Sequence, residues 1–359
     1  MRILLSAAVA LVAATALSAQ PYATKPLAPD KFRQLEELPP TPNEQRTASG
    51  APGRGYWQQR ADYTIDAELD DATQTITGRE TIAYTNRSPD PLAYLWLQLD
   101  ANIFAKNSDN RTTAAVARAT PGANPLEKFS YQNLEAALLQ ETYDSQLKIT
   151  AVTDAAGQPL AHTIVKTMMR IDLPQPLAPG AKVSFGVAWS YVVNNAKLLA
   201  LRSGWEYFES DKNYVYEIAQ WYPRLAVYGD TTGWQHKQYL GRGEFTLEFG
   251  DFLVRLTVPD DHVVAGTGLL QNPADVLSAT QRDRLKQAET AKAPVFIVTP
   301  DEAKAAEAGK SAKKKTWVFK ADNVRDFAFA TSRKFIWDAM GAPKHASPDT
   351  KKPVMAMSF

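Results

Sequence analysis

The chain has 359 residues, with 40 Lys and Arg against 39 Asp and Glu, for a net charge of +1. So even a balance provides no sustained field for nucleic acid or an anionic membrane surface. Cysteine is absent, which excludes disulfides, zinc–thiolate centres and thiol nucleophiles, while the length is enough for a large core.

Met1 to Ala19 reads as an export signal. Arg2 gives the positive start, Ile3 to Leu17 is almost wholly apolar, and Ala16, Ser18 and Ala19 offer a small-residue cleavage site. The apolar run falls short of the roughly 20 residues a membrane span prefers. No span is therefore expected once the signal is removed, and an exported chain without cysteine fits the bacterial periplasm or exterior. Residues 20–55 are rich in Pro, Gly and charge and read as an extended lead-in with little packing.

From Trp57 onward the period is that of strands. Tyr63 to Leu69 alternates, Asp70 to Thr73 is a turn, and Thr75 to Tyr84 alternates again. Leu92 to Leu99 is apolar nearly throughout, the pattern of a strand buried on both faces. Between Phe104 and Tyr143 the pattern dissolves into an insertion, with a loosely helical stretch over Leu126 to Gln140. Strands resume at Leu147 to Val152, Ala161 to Val165 and Met168 to Leu173. After the Pro179-Gly180 turn, Val183, Phe185, Val187, Trp189 and Tyr191 share one face.

Gly204 to Tyr216 is aromatic and irregular. It leads into an aromatic–proline knot, Gln220-Trp221-Tyr222-Pro223-Arg224, and a turn-rich connection through Gly229, Asp230, Gly233 and Trp234. Two strand-like runs follow, Phe245 to Phe249 and Phe252 to Val258, the second stopped by Pro259. Ala274 to Ala293 reads as a short helix or helical loop. Asp301 to Lys315 reads as a solvated, lysine-bearing loop tip between strands, and Thr316 to Lys320 as a strand. Many short strands separated by turns indicate a mainly β, multi-sheet sandwich over residues 56–345. Residues 346–359 read as a linker followed by a new apolar strand, Val354 to Phe359.

The residues show no catalytic set. The four histidines, His162, His236, His262 and His345, are too far apart in sequence to form a zinc helix. His262, after Pro259-Asp260-Asp261, reads as a hydrogen-bonded turn histidine. Asp260 and Asp261 lack the spacing of a calcium loop. Ser145-Gln146-Leu147-Lys148 has the Ser-x-x-Lys spacing of penicillin-recognising enzymes, but it runs into a strand and has no Lys-Thr-Gly partner. Gly241-Arg242-Gly243 is a turn or bulge signal before a strand.

Three segments carry a resemblance. Ala219-Gln220-Trp221-Tyr222-Pro223 resembles the Thr/Ala-Gln-x-x-Pro segment of the aminopeptidase N family of gluzincin zinc metallopeptidases. Gly243-Glu244-Phe245, Phe252 to Pro259 and Asp261-His262 resemble that family's strand ending in Val-Pro. Val324 to Ser332 is similar to its Arg-Asp-Phe-Ala segment. The resemblance runs in the same order over roughly residues 57 to 359. It implies a saddle-shaped N-terminal β domain of the aminopeptidase N type, which lends residues to a peptide-substrate cleft. Zinc would be held by a following domain. The family's His-Glu-x-x-His and Gly-x-Met-Glu-Asn motifs do not occur in these residues, so the chain itself is expected to bind no metal and to be inactive alone. Val354 to Phe359 would then be the first strand of the catalytic domain.

Carried over by position, Gln220 faces the substrate's N-terminal end, with Trp221 and Tyr222 as further cleft candidates. Tyr222 stands where many members have Glu or Gln. A phenol supplies no negative charge at neutral pH, so strict recognition of an α-amine does not follow. The alternative is a self-standing periplasmic binding module of β-sandwich type that recognises peptide or glycan through Trp221, Tyr222 and Trp234.

Overall fold

The computed structural model describes residues 42–113, 145–199, 202–241, 246–346 (343–346 as backbone) and 353–359, together with Tyr131, Leu134, Leu138, Leu139 and Tyr143. The signal, the lead-in up to residue 41 and most of the expected helix over Leu126 to Gln140 lie outside these residues.

Alternating sequence becomes strand after strand. In chain order they are β1 (Arg60–Asp70), β2 (Thr75–Thr85), β3 (Leu92–Gln98), β4 (Lys148–Asp154), β5 (His162–Val165), β6 (Met168–Leu177) and β7 (Lys182–Val192). Then come β8 (Gly204–Phe208), β9 (Asn213–Ile218), β10 (Arg224–Leu225), β11 (Tyr228–Gly229), β12 (Gly233–Trp234), β13 (Gly250–Pro259) and β14 (Val263–Gly266). The rest are β15 (Leu269–Leu270), β16 (Val295–Val298), β17 (Lys314–Val324), β18 (Phe329–Ser332), β19 (Trp337–Ala346) and β20 (Pro353–Ser358). The chain is mainly β and multi-sheet, as its period requires.

The largest sheet has seven strands in the order β15-β17-β13-β1-β2-β7-β4. Its one parallel pairing joins β1 to β13, with Tyr63 opposite Phe252 and Ile65 opposite Val254. The turn between β1 and β2 is locally encoded, because the Asp70 carboxylate accepts from the Ala72 amide at 3.0 Å and the Thr73 hydroxyl at 2.9 Å. Leu95 and Leu97 of β3 and Met169 and Ile171 of β6 join the buried face of the seven-stranded sheet in one hydrophobic cluster. β3 departs from expectation: Ala93 is exposed and the strand alternates, so it is not buried on both faces.

Other expectations need correction. Gly204 to Tyr216 is a regular hairpin of β8 and β9, turned at Lys212, whose φ is +56°. Aromatic residues suit a pleated surface even where their alternation is poor. Of the run Phe245 to Phe249, Phe245 lies outside the described residues. Thr246 to Glu248 is in no strand, and Phe249 makes only an isolated bridge to Arg60. The lysine-bearing stretch expected as a loop is largely helix. Two helices, α1 (Ala279–Ala288) and α2 (Pro300–Gly309), each begin with a capping box, Ser278 with Gln281 and Thr299 with Glu302. Pro300 at the start and the Ala, Glu and Lys that follow complete a helix signature over the first part of that stretch. The lead-in does pack at its described end, where Arg46 pairs with Asp230 at 2.8 Å. β20 is the outer strand of a three-stranded sheet, hydrogen-bonded to β19, and Phe359 stacks on Trp337 at 5.2 Å.

Close approach sets one position firmly. Gly78 of β2 lies directly opposite Trp189 of β7, and a Cβ added there would stand 2.5 Å from the indole. Trp189 is itself fully buried and cannot swing aside. Gly78→Ala is expected to cost about 1–3 kcal/mol, read as a lower urea midpoint at unchanged m.

Candidate functional site

The aromatic–proline knot folds inward. Trp221 and Tyr222 are both 0% exposed. Trp221 packs edge-on against Tyr222 and Phe329, each at 5.2 Å, and its indole N–H donates to the Phe327 carbonyl at 3.0 Å. Tyr222 meets Tyr63 at 5.6 Å and Phe252 at 6.1 Å, and its hydroxyl donates to Asp326 Oδ1 at 2.7 Å. These side chains are core. The cause lies just downstream, where β10 pairs Arg224 and Leu225 with Gln98 and Leu97 of β3 and draws the knot under the sheet. Trp234 is 8% exposed and packs on Tyr228 at 5.1 Å. The three rings of the expected aromatic platform are therefore interior.

Gln220 is different. It is half-buried, and its φ of +55° places it in the left-handed region. A non-glycine residue is strained in that conformation and holds it only where its neighbours fix the backbone. Here they do, because the next two residues are anchored to Phe327 and Asp326. Among the described residues, no hydrogen bond reaches the Gln220 amide.

Beneath the knot lies a buried charge network that no sequence motif announced. The Arg224 guanidinium donates through Nε and Nη2 to Asp100 Oδ2, at 3.0 and 2.8 Å, and through Nη1 to Asp326 Oδ2 at 2.5 Å. Burial opposes the Arg224 charge, but Asp100 and Asp326 outweigh it and hold the guanidinium above its usual range. Burial and the neighbouring Asp326 push the Tyr222 phenol well up, so it stays neutral, as the sequence requires of a phenol at this position. The Arg-Asp-Phe signal was visible at Asp326. Nothing near Asp100 pointed to its partner.

The three segments that carry the family resemblance meet here. Tyr222 contacts Phe252 and Asp326, and Phe252 stacks with Phe327 at 6.4 Å.

Zinc does not fit the described residues. Among them, no three His, Asp or Glu side chains are grouped to hold a metal ion. His162 and His236 bond to the Leu160 and Trp234 carbonyls, and His236 stacks on Trp96 at 5.0 Å. Ser145 to Leu147 lie in no helix or strand, Lys148 begins β4, and the Ser145 hydroxyl bonds to the Val192 carbonyl, so the Ser-x-x-Lys spacing opens no helix. Residues 242–243 of the Gly-Arg-Gly stretch lie outside the described residues. Among the described residues, no helix is long and apolar enough to cross a membrane.

No protein-family profile matches the chain, and no curated protein does. Solved structures similar to it are M1 zinc metallopeptidases from Deinococcus radiodurans. One, a mutant bound to a Tyr-Ser-Ala substrate, is 13% identical with a TM-score of 0.39, over 80% of this chain and 44% of that one. Another, the M1 zinc metallopeptidase itself, is 13% identical with a TM-score of 0.38, over 81% of this chain and 45% of that one. The chain thus spans less than half the length of the solved proteins it matches.

Proposed function

We propose that this chain is the N-terminal β portion of an exported, zinc-dependent metallopeptidase of the aminopeptidase type. In this reading Gln220 faces the cleft that receives the N-terminal end of a peptide. The observation that carries it is the left-handed, half-buried Gln220, next in the chain to Trp221 and Tyr222, which are anchored where the three resembling segments converge. A Gln side chain that leaves a backbone fixed by its neighbours can offer both an N–H donor and a carbonyl acceptor to a peptide backbone. The zinc and the residues that activate water belong, in this reading, to a domain C-terminal to Phe359. The β portion itself shapes the cleft and orients the peptide but does no bond breaking. Residues 1–19 would direct the protein to the periplasm or exterior.

The test is to express the open reading frame together with whatever coding sequence follows Phe359. Hydrolysis of aminoacyl p-nitroanilides is expected, abolished by a chelator and restored by zinc, with none from the 359-residue chain alone. Gln220→Ala in the active protein is expected to lower kcat/KM about tenfold, the scale of one hydrogen bond to a polar substrate group, with an unchanged melting curve. Hydrolysis by the 359-residue chain alone, or a Gln220→Ala variant with full activity, would overturn the assignment.

A further inference from the structure

The turn that ends β13 closes over a cavity of about 170 Å³ between the seven-stranded sheet and the helical segment that contains α1 and α2. That is far more than the roughly 30 Å³ share of one water. Its lining includes the Asp260-Asp261-His262 turn and, from the strand paired beside it, Lys315 and Trp317 of β17. Lys315 and Trp317 are two apart on the strand and face the same way.

Several polar atoms of this lining lack partners. His262 is 0% exposed and Trp317 1% exposed. His262 Nε2, Trp317 Nε1 and Asp261 Oδ1 are all buried with no hydrogen bond among the described residues. Such atoms each cost free energy unless something fills the space between them.

The tautomer of His262 follows from its neighbour. The Thr331 hydroxyl donates to the Val263 carbonyl at 3.0 Å, so towards His262 Nδ1, 3.1 Å away, it can only accept. The proton therefore sits on Nδ1, and Nε2 presents a lone pair. Burial, with Arg333 and Lys315 adding their charge, holds the imidazole down at about 3, so it is neutral at physiological pH.

The charges sort the same way. Arg333 is engaged by Asp261 Oδ2 and Asp71, both at 2.8 Å. Glu302 is engaged by Arg284 at 2.7 Å and the Thr299 amide at 2.8 Å. That leaves the Lys315 ammonium, which donates to the Val276 carbonyl at 3.0 Å and lies over the Trp317 ring. Among the described residues no carboxylate makes a direct ion pair with it, although Asp260 and Asp261 attract its charge from farther off. The lining thus offers both a cation with an N–H donor and a carboxylate oxygen with a lone pair.

We propose that this cavity binds a small zwitterion of α-amino-acid size, its carboxylate taken by Lys315 and Trp317 Nε1 and its ammonium by Asp261 Oδ1 and His262 Nε2. Every orphaned atom is then matched by a group of the right polarity. A simple anion would leave the unpaired acceptors unanswered, and a simple cation the unpaired donor.

The test is calorimetric titration of the 359-residue chain with L-alanine, with acetate and methylammonium as single-ended probes. Saturable binding of L-alanine is expected, with acetate and methylammonium at least about tenfold weaker. Trp317→Phe should weaken L-alanine binding by about tenfold, and Lys315→Met by more, the range for hydrogen bonds to charged groups. The ¹⁵N resonance of His262 Nε2 in the unmodified chain should move on adding L-alanine, which decides the matter even if a variant fails to fold. Absence of saturable binding and of that shift would mean the cavity holds ordered water only, and would overturn the proposal. So would acetate binding as tightly as L-alanine, or binding unaffected by both substitutions in folded variants.

Discussion

Arg224→Ala is expected to cost about 3–5 kcal/mol of stability, the scale for removing one partner of a buried ion pair. Asp100 is the reason. It is 1% exposed, both guanidinium bonds it receives go to Oδ2, and Oδ1 already lacks a partner. Without Arg224 a carboxylate is left in the core with nothing to offset it, next to Tyr222 and the anchored knot. Asp326, about a third of whose side chain is exposed, can turn to water and contributes less. Arg224→Met combined with Asp100→Asn should therefore be much less damaging than Arg224→Ala. Urea unfolding of the single and double variants measures the coupling directly. Equal losses in the two would show that the uncompensated Asp100 charge is not the source of the cost.

Raising the pH is expected to destabilise the protein through two buried glutamates, and Glu80→Gln to remove most of one contribution. Glu80 stands in the middle of β2 on the buried face, opposite Ile65 and Val187, with neither carboxylate oxygen hydrogen-bonded. Burial raises its carboxyl well above the usual range. Burial also raises Glu248, to about 8, against a smaller opposing pull from Arg87. Both acids keep their protons in the folded chain at neutral pH and lose them in the unfolded one. The unfolded state then binds fewer protons, so stability is full below the ordinary value of 4.5 and falls as pH rises towards the folded values.

Each group contributes a slope of about 1.4 kcal/mol per pH unit in its window. For Glu248 the window closes near 8; for Glu80 it runs upward from the same ordinary value. His262 works the other way. Its folded value of about 3 lies below the unfolded 6.5, so its contribution is complete above 6.5 and is lost as pH falls towards 3. Above 6.5 the His262 contribution no longer changes and does not mask the glutamate terms. Chemical denaturation from pH 5 to 9 should show a net decline that Glu80→Gln makes shallower, with the variant matching the parent near pH 4. A variant that is less stable than its parent at pH 8 would show that Glu80 carries its charge on a partner.

The sequence by itself determined the class and most of the strands. Period-two alternation is a local property, and a strand half-buried in any sheet must show it. β1, β2, β7 and β13 could thus be read to within three residues at either end. The capping signal Thr299-Pro300-x-Glu302 was equally local and could have shown that the lysine-bearing stretch is helical. The Tyr222 phenol was legible as neutral, because its chemistry does not depend on the fold.

Tertiary structure alone decided which aromatic residues are core. Trp221, Tyr222 and Trp234 have the same composition whether they line a groove or fill an interior. What buries them is the pairing of Arg224 and Leu225 with β3, over a hundred residues away in sequence, which the local pattern cannot specify. The same holds for Arg224 and Asp100, for the left-handed Gln220, and for the cavity under His262. Each depends on contacts between distant segments, whose free energy is set by shared burial and charge compensation rather than by spacing along the chain.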